Sequence, residues 1–225
     1  MLRRSKGAAM GKVIAVAQQK GGSGKTTIAV NLAVGLIRAG RTVALLDTDP
    51  QGSLGRWFMA RRERLGDPGL EFSTSSAWGV SYECEKLRRS VEFVIIDTPP
   101  KVDADLRPAL READLILVPV ASSHVDLWAT EGVLDLARRE RKHATIVLNR
   151  ARPGTRLTSG VAEAAKALEA EVARSALSSR VVYAESLGEG IAAVEARRPG
   201  PAAAETRALL AEVLSLLGFP PGDPD

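Results

Sequence analysis

A glycine-rich loop follows an apolar run near the beginning of the chain. The loop reads Lys-Gly-Gly-Ser-Gly-Lys-Thr-Thr over residues 20–27, two residues after the apolar run 13–17. Its glycines let backbone N–H groups close around an anion without clashes from a Cβ atom. Residues 28–37 have helical spacing, so a helix should open at Lys25 with its positive end toward the anion. The sequence therefore predicts a loop that binds the phosphates of a nucleoside triphosphate.

Side chains of this loop have distinct expected roles. Lys25 should reach the outer phosphates, and Thr26 should supply a hydroxyl to Mg²⁺. The usual pattern has glycine where this chain has Gln19, and a second cation, Lys20, stands at the entrance of the loop. The other nucleotide contacts are expected from Gly21, Gly22, Ser23, Gly24 and Thr27.

Apolar runs alternate with helical patterns along the chain, which is typical of a parallel sheet covered by helices on both faces. We predict the α/β class, a three-layer P-loop NTPase with a mostly parallel, doubly wound sheet flanked by helices. Strands are expected at residues 12–17, 42–46, 91–96, 115–120 and 145–148, with a weaker one near 171–177. Helices are expected at about residues 25–39, 53–64, 80–89, 103–112, 125–141, 158–170 and 203–217.

Length and composition fit one globular domain. The chain has 225 residues, of which 45% are hydrophobic, and this suffices for one sizeable core. We expect that domain at residues 11–218, between a flexible basic tail at 1–10 and a frayed tail at 219–225. The first ten residues lack the apolar segment of a signal peptide. One cysteine, Cys84, excludes an internal disulfide and is expected to be a surface or half-buried thiol. These features predict a cytoplasmic protein.

Two aspartate motifs follow predicted strands, where an open α/β sheet places its ligand. The motif Asp-Thr-Asp-Pro-Gln-Gly covers residues 47–52, and Asp-Thr-Pro-Pro covers residues 97–100. An aspartate after an apolar strand, such as Asp97, is the arrangement that holds Mg²⁺ or its waters beside phosphates. Together with the two lysines and Asp49, it predicts phosphoryl transfer, which needs charge neutralisation and a positioned water.

The three motifs together resemble those of the ParA/MinD family of deviant Walker A ATPases. Within that family, the chain is similar to the small ParA partition proteins that lack an N-terminal helix-turn-helix domain. The resemblance covers about residues 12–217. Further matching segments are Ser53-Leu54 with Trp57, Asp126 to Thr130, Leu148 to Arg150, and Arg180 followed by Tyr183 to Ser186.

The resemblance implies roles for individual residues. Lys20 would cross a nucleotide-sandwich dimer to the partner subunit's phosphates, and Asp49 would orient the attacking water. Catalysis would then depend on Lys20, Lys25 and Asp49. Mg²⁺ would be held by Thr26, Asp49 and Asp97.

The expected nucleotide is ATP. The resemblance places Asn149 at the adenine edge and Arg150 nearby. A guanine-recognition motif of the Asn-Lys-x-Asp type is absent from the sequence, which also favours ATP over GTP. ATP and Mg²⁺ are therefore the expected cofactors.

Partners are likewise implied by the resemblance. Partition ATPases of this family form ATP-dependent homodimers, bind DNA without sequence preference, and are released when a ParB-like centromere-binding or adaptor protein stimulates hydrolysis. Non-specific DNA binding needs only several cations on one face, and the candidates are Arg180, Arg197 and Arg198. This predicts a nucleoid-associated ATPase with slow basal turnover that segregates a plasmid or chromosome.

Two alternatives stay open at this stage. A related ATPase could position a protein cargo, and a metabolic ATP-dependent enzyme could share the fold. Membrane binding is disfavoured because the segment 205–217 lacks the Lys/Arg-rich polar face of a membrane-surface helix.

Overall fold

The computed structural model describes residues 10–100, 105–121, 124–152, 154–168, 170–198 and 200–220. Its strands are β1 (Lys12–Val16), β2 (Val43–Asp47), β3 (Glu71–Thr74), β4 (Phe93–Asp97), β5 (Leu115–Ala121), β6 (Ala144–Asn149) and β7 (Glu171–Val172). Its helices are α1 (Lys25–Arg38), α2 (Ser53–Leu65), α3 (Val80–Ser90), α4 (Arg107–Glu112), α5 (His124–Trp128), α6 (Glu131–Arg139), α7 (Arg156–Lys166), α8 (Val181–Gly188) and α9 (Pro201–Leu216). Short 3₁₀ turns cover Ala77–Gly79 and Ala193–Glu195. Residues 1–9 of the predicted N-terminal tail lie outside the described ranges.

All of these strands form one parallel sheet in the order β3-β2-β4-β1-β5-β6-β7. The predicted α/β class with helices on both faces is confirmed. In the register of the sheet, Asp97 at the end of β4 pairs with Asp47 on one side and with Val16 on the other. The carboxyl ends of β1, β2 and β4 therefore stand side by side, and the loops that follow them meet at one edge.

The central strands are buried on both faces because successive side chains enter different apolar layers. Leu45 and Ile95 belong to the layer that also contains residues of α1 and α9. Leu46 and Ile96 belong to the layer that contains residues of α3 and α4. These two layers fix the sheet between its helices, and the site-forming loops extend from this rigid support.

Cys84 lies fully buried in the second layer, on α3, which corrects the expectation of a surface or half-buried thiol. Burial raises the pKa of this thiol to about 12. Val80 and Leu87 lie in the same layer, one turn before and one turn after it. Cys84 therefore behaves as a small apolar core residue.

Several elements differ from the prediction for physical reasons. The edge strand β3 is not predicted because its sequence is short, half-polar and only half-buried. The helix α8 is also not predicted, since its eight residues begin with two β-branched valines. The single helix expected over 125–141 is interrupted between α5 and α6, where Thr130 Oγ1 donates to the Asp126 carbonyl and accepts from Gln18.

Phe219, the first residue of the predicted frayed tail, packs against the domain. The ring of Phe219 lies 5.1 Å from that of Phe93, and the Arg41 guanidinium lies over it. Its backbone N–H also donates to the Leu214 carbonyl at 2.9 Å. Phe219 is thus part of the packed domain, while residues 221–225 lie outside the described residues.

The helix α2 is anchored to the segment that precedes α9. Trp57 Nε1 donates to the Ile191 carbonyl at 3.1 Å. The buried Arg61 makes two hydrogen bonds to Glu195, at 2.8 and 2.9 Å, and donates to the Gly190 carbonyl. Gly190 has φ +69°, and a Cβ there would lie 2.2 Å from the backbone nitrogen of Arg61. Only glycine allows this approach of the two segments.

This packing predicts that Gly190→Ala destabilises the fold. The left-handed backbone should cost about 1–2 kcal/mol in the free energy of unfolding, and the clash with α2 about 1–3 kcal/mol more. Gly40→Ala is the matched control, because Gly40 has φ +73° with no atom within 4 Å of the added Cβ. Urea unfolding of both variants should show the larger loss of stability for Gly190→Ala; equal losses would contradict the close approach.

Candidate functional site

The glycine loop joins β1 to α1 in the conformation that the sequence predicts. Gly22 and Gly24 have φ values of +75° and +94°, which favour glycine. A Cβ on Gly24 would lie 1.9 Å from Nδ2 of Asn149. The helix α1 begins at Lys25, directly after this glycine, so its free backbone N–H groups face the loop.

Asn149, at the end of β6, holds the loop in place. Its side-chain amide donates to the Ser23 carbonyl at 2.7 Å, and its Oδ1 accepts from the N–H of Arg150 at 2.9 Å. The structure thus gives Asn149 a positioning role that the sequence does not predict, and the adenine contact stays a prediction. Arg150 is exposed and has φ +51°, an uncommon backbone conformation for a residue other than glycine.

Lys25 and three aspartates form the charged centre of the site. Lys25 Nζ is buried and donates to the Gln18 carbonyl at 3.3 Å. Burial lowers the pKa of Lys25, while the charges of Asp97 and Asp49 act in the opposite direction. Lys25, Asp49 and Asp97 are therefore close enough to interact electrostatically, as the motif spacing predicts.

Asp97 is the most buried of the carboxylates. Its Oδ2 accepts from Thr26 Oγ1 at 2.6 Å, and burial raises its pKa to about 7. Within the described residues, its Oδ1 is buried without a hydrogen-bond partner, and so is the hydroxyl of Ser23. Such unpaired polar atoms suit a site that is completed by a hydrated cation and phosphate oxygens.

Asp47 is a site residue to which the sequence motifs assign no role, since they point to Asp49 and Asp97 only. Its two carboxylate oxygens accept from the backbone N–H groups of Asp49 and Gly55, both at 3.0 Å. Burial raises the pKa of Asp47. This residue fixes the loop between β2 and α2. Its position at the end of a strand is the sequence signal that could have identified it.

Asp49 itself is half-buried and accepts from the Gln51 N–H at 2.9 Å.

Lys20 lies at the entrance of the loop, with 43% of its side chain exposed, and contacts Asp126. The Nζ–Oδ1 distance is 2.5 Å, and the Asp126 side chain is only 7% exposed. Asp126 lies in one of the segments that match the family, although no ion pair is predicted from sequence. Lys20 therefore has an internal partner in the single chain.

These residues line or adjoin an open cleft of about 550 Å³. Its walls contain most of the predicted loop contacts together with residues to which no nucleotide contact is assigned from the sequence. The predicted lining residues are Gly21, Gly22, Gly24, Lys25, Thr26, Thr27, Asp49 and Arg150, and the further ones are Gln51, Ser53, Arg56, Trp57, Pro100, Leu187 and Gly188. Of the further residues, those of α2 follow the second motif closely, whereas Leu187 and Gly188 carry no sequence signal.

Magnesium has no purely protein-made site among the described residues. They contain no group of three or more His, Cys, Asp or Glu side chains that could hold a metal ion. The Thr26–Asp97 pair fits a cation that takes its other ligands from phosphates and water, which is how Mg²⁺ is usually bound. The predicted metal residues Thr26 and Asp97 are thus brought together, with Asp49 close by in the same charged centre.

The predicted DNA-binding arginines have different surroundings. Arg180 donates twice to Glu205, at 2.7 and 3.0 Å, and that carboxylate also accepts from Ser178 and Tyr183. It is therefore tied into the structure and is not a free surface cation. Arg197 and Arg198 are exposed, and neither forms an ion pair within the described ranges. The surface role predicted for this pair fits its exposure.

Comparison with known proteins decides the family. The family model for the ATPase MipZ matches residues 12–135. The chain is also 32% identical over 208 residues to the "Maintenance of carboxysome distribution protein A" of Halothiobacillus neapolitanus, covering 89% of this chain and 95% of that protein. The chain belongs to the ParA/MipZ-like ATPase family.

Other relatives of the ATPase match over a smaller part. The chromosome partitioning protein ParA of Caulobacter vibrioides is 32% identical over 166 residues, or 56% of this chain and 61% of that protein. The chain thus spans about three fifths of that relative. Soj of Thermus thermophilus is 36% identical over 149 residues, or 55% of this chain and 59% of that protein.

Solved structures share the fold of the ATPase. An ATP complex of McdA from Cyanothece superposes with a TM-score of 0.77 at 16% identity, covering 94% of this chain and 98% of that one. MinD from Pyrococcus furiosus gives a TM-score of 0.77 at 21% identity, covering 92% of this chain and 100% of that one.

In the described part of this chain, no helix has the length and apolar character needed to cross a membrane.

The geometry predicts that Lys25→Ala weakens ATP binding about 100-fold, because it removes a charge-assisted contact to the phosphates. The measurement is isothermal titration with Mg-ATP. Lys86→Ala serves as a control, because this exposed lysine of α3 bonds only Glu83 among the described residues and does not line the cleft. Wild-type affinity in Lys25→Ala would show that the cleft is not the nucleotide site.

Proposed function

We propose that the chain is a cargo-positioning ATPase that hydrolyses Mg-ATP in the cleft between the glycine loop and α2. Its family supports ATP hydrolysis. The pairing of Thr26 with the buried Asp97 supports a magnesium site beside the phosphates. When bound, Mg²⁺ would be held by Thr26 and Asp97 and would supply charge neutralisation beside the phosphates.

Each residue of the charged centre has a proposed role. Lys25 binds the outer phosphates, and the loop backbone from Gly21 to Thr27 holds the remaining oxygens. Asp49 positions the attacking water, since it is the half-buried carboxylate in the cleft lining. Asp97, acting with Thr26, holds the hydrated metal. Basal turnover is proposed to be slow, until a partner protein stimulates it.

Dimerisation is proposed to depend on ATP and on Lys20. In the single chain this lysine is paired with Asp126, which partly satisfies its charge. The phosphates of a nucleotide bound to a second subunit offer a stronger anionic partner, so ATP favours exchange of the internal pair for an intersubunit one. The Lys20–Asp126 pair then opposes dimerisation when nucleotide is absent.

The cargo is proposed to be a protein assembly of the carboxysome type. The observation that supports this is the relative from Halothiobacillus neapolitanus, named for carboxysome distribution, which the chain covers almost end to end. The chromosome-partitioning relatives are covered over about three fifths. This observation supports a protein cargo over segregation of a plasmid or chromosome. Membership of the ParA/MipZ-like family supports the same proposal over a metabolic enzyme.

Segregation of DNA is the second candidate, because the ParA of Caulobacter vibrioides and the Soj of Thermus thermophilus are named for chromosome partitioning. In both readings we propose that the ATP-bound dimer binds DNA without sequence preference through Arg197 and Arg198. Dimerisation doubles the number of cations that face the phosphates, which makes DNA affinity depend on ATP. The cargo then moves along the nucleoid by following the DNA-bound ATPase.

A gene deletion with complementation distinguishes the two readings. For a protein cargo, loss of the ATPase should cluster the protein assemblies seen by electron cryotomography and leave plasmid retention and the frequency of DNA-free cells unchanged. The wild-type gene should restore the distribution, and the Lys25→Ala gene should not. Frequent DNA loss with normally distributed protein assemblies would instead support DNA segregation.

Asp49→Ala is expected to bind Mg-ATP with wild-type affinity and to lose about 100-fold or more in turnover, because the attacking water is no longer positioned. Sedimentation should show that this variant accumulates as a dimer with ATP and is a monomer with ADP. The control is Asp135→Ala, an exposed carboxylate paired with Arg138 on α6. Wild-type turnover in Asp49→Ala, or an equally stable dimer without nucleotide, would contradict the proposal.

The combined Arg197→Ala and Arg198→Ala variant is expected to weaken ATP-dependent DNA binding and leave ATP affinity intact. The slope of log affinity against log salt should become shallower by roughly 1 for each DNA phosphate that the variant no longer neutralises. Fluorescence anisotropy with duplex DNA at several salt concentrations measures both quantities. Changing Arg138 and Arg139 to alanine, on α6, removes the same charge as a control. DNA binding that is equal with ADP and ATP would contradict the switch.

A further inference from the structure

Arg56 is a cation on the wall of the cleft that no motif singles out. It is the fourth residue of α2, and it lines the cleft together with Lys25, Thr26 and Asp49. Its side chain is exposed and forms no ion pair with any described residue. The cleft therefore contains an arginine whose charge is not balanced by a carboxylate of the described residues.

Two other arginines of α2, Arg61 and Arg64, are paired with carboxylates. Arg61 is bound to Glu195, and Arg64 is bound to Glu189 at 2.9 Å. Arg62 resembles Arg56, because it is exposed and has no ion pair within the described residues, but it does not line the nucleotide cleft. The helix thus offers one arginine beside the phosphate loop and a matched one away from it.

The electrostatic surroundings of Arg56 favour an anionic ligand. The first turn of α2 contains no acidic residue, and the N-terminus of a helix is itself positive. The ionisable side chains that line the cleft are Lys25, Asp49, Arg56 and Arg150. Three of them are cations, and neither Arg56 nor Arg150 has a carboxylate partner among the described residues. An anion in the cleft would give these two arginines a partner of opposite charge.

The backbone near Arg56 is held in position from both sides. Its N–H donates to the Gly52 carbonyl, and Asp47 fixes Gly55 just before it. Trp57, the next residue, is bonded to the Ile191 carbonyl. Arg56 therefore starts from a fixed point on the segment that also carries Asp49, and its long side chain can reach into the cleft.

We propose that Arg56 is a further catalytic residue, which binds the terminal phosphate of ATP held by the same chain. The inference rests on the proposed nucleotide site. In the reaction, the oxygen of water forms a bond to the terminal phosphorus, and the bond between that phosphorus and the bridging oxygen breaks. ATP and water thereby become ADP, inorganic phosphate and a proton. The planar guanidinium of Arg56 donates two N–H groups to the oxygens of the phosphoryl group being transferred. It thereby stabilises the charge that spreads over that group.

The test compares Arg56→Ala and Arg56→Lys with Arg62→Ala as the matched control. Arg56→Ala should lower turnover at saturating Mg-ATP about 10- to 100-fold and weaken ATP binding, with ADP binding unchanged. Arg56→Lys should recover ATP affinity more than turnover, because lysine keeps the charge and lacks the two-pronged geometry. Arg62→Ala should match the wild type in all three quantities. Circular dichroism and urea unfolding confirm that each variant is folded.

The same series separates this inference from the proposed function. If Lys25→Ala binds ATP like the wild type, the nucleotide site itself is wrong. If Lys25→Ala loses ATP binding while Arg56→Ala equals Arg62→Ala in turnover and in both affinities, only the role of Arg56 is overturned. Loss of ADP affinity equal to the loss of ATP affinity in Arg56→Ala would also overturn the contact to the terminal phosphate.

A mixing experiment tests whether Arg56 acts within its own chain. Arg56→Ala lacks the arginine, whereas Asp49→Ala has the arginine, binds ATP and dimerises with it, but lacks turnover. If Arg56 acts within one chain, mixtures should show no more than the summed activity of the two variants. Recovered turnover in the mixture would place Arg56 across the dimer and overturn the same-chain assignment.

Discussion

The register between β2, β4 and β1 is the constraint on which the whole site depends. It puts Asp47 and Asp97 side by side at the strand ends, next to Val16, from which the glycine loop starts. Burial raises the pKa of both carboxyl groups, so the sheet holds two acidic groups where a charge is unfavourable. The two are treated differently: Asp47 is satisfied by backbone N–H groups, whereas Asp97 keeps one oxygen without a described partner. Asp47 therefore fixes the loop after β2, whereas Asp97 has an oxygen that can still bind a ligand.

A second organising feature is the 3₁₀ turn at Ala193–Glu195, which contacts both helices that leave the site. Asn31 of α1 accepts from the Ala193 N–H at 3.0 Å and donates to the carbonyl of Thr27, in the phosphate loop. Arg61 of α2 is bound to Glu195. The exposed Arg197 and Arg198 follow this turn after one residue, Ala196. The arginines proposed to contact DNA are thus connected through a few hydrogen bonds to the segments that would surround ATP.

Much of the fold and of the phosphate site is readable from the sequence, because both depend on local patterns. Continuous apolar runs predict the central strands, and glycine spacing predicts the loop with Lys25 and Thr26. The pattern fails where a long-range contact decides the outcome. The strand β3 exists because β2 offers it an edge, α8 is too short to have a clear period, and Phe219 is ordered by its contact with Phe93.

Side-chain pairs across the fold are equally beyond sequence reasoning. The anchoring of Asn149 to the Ser23 carbonyl joins positions 126 residues apart. The bond between Arg180 and Glu205 depends on how α9 packs, and the DNA contact of Arg180 stays a prediction. Residue type and motif context indicate that such side chains matter, but only the packed structure shows what each one contacts.

The buried position of Cys84 has a practical consequence for spectroscopy. Thiols react with maleimides and nitroxide reagents as thiolates, and a thiol with a pKa of about 12 that is closed off from solvent is almost entirely unreactive at neutral pH. Because it is the sole cysteine in the sequence, the native chain offers almost no labelling background. A single cysteine introduced on an exposed helix face would then carry a fluorophore or spin label selectively, without altering the core around α3.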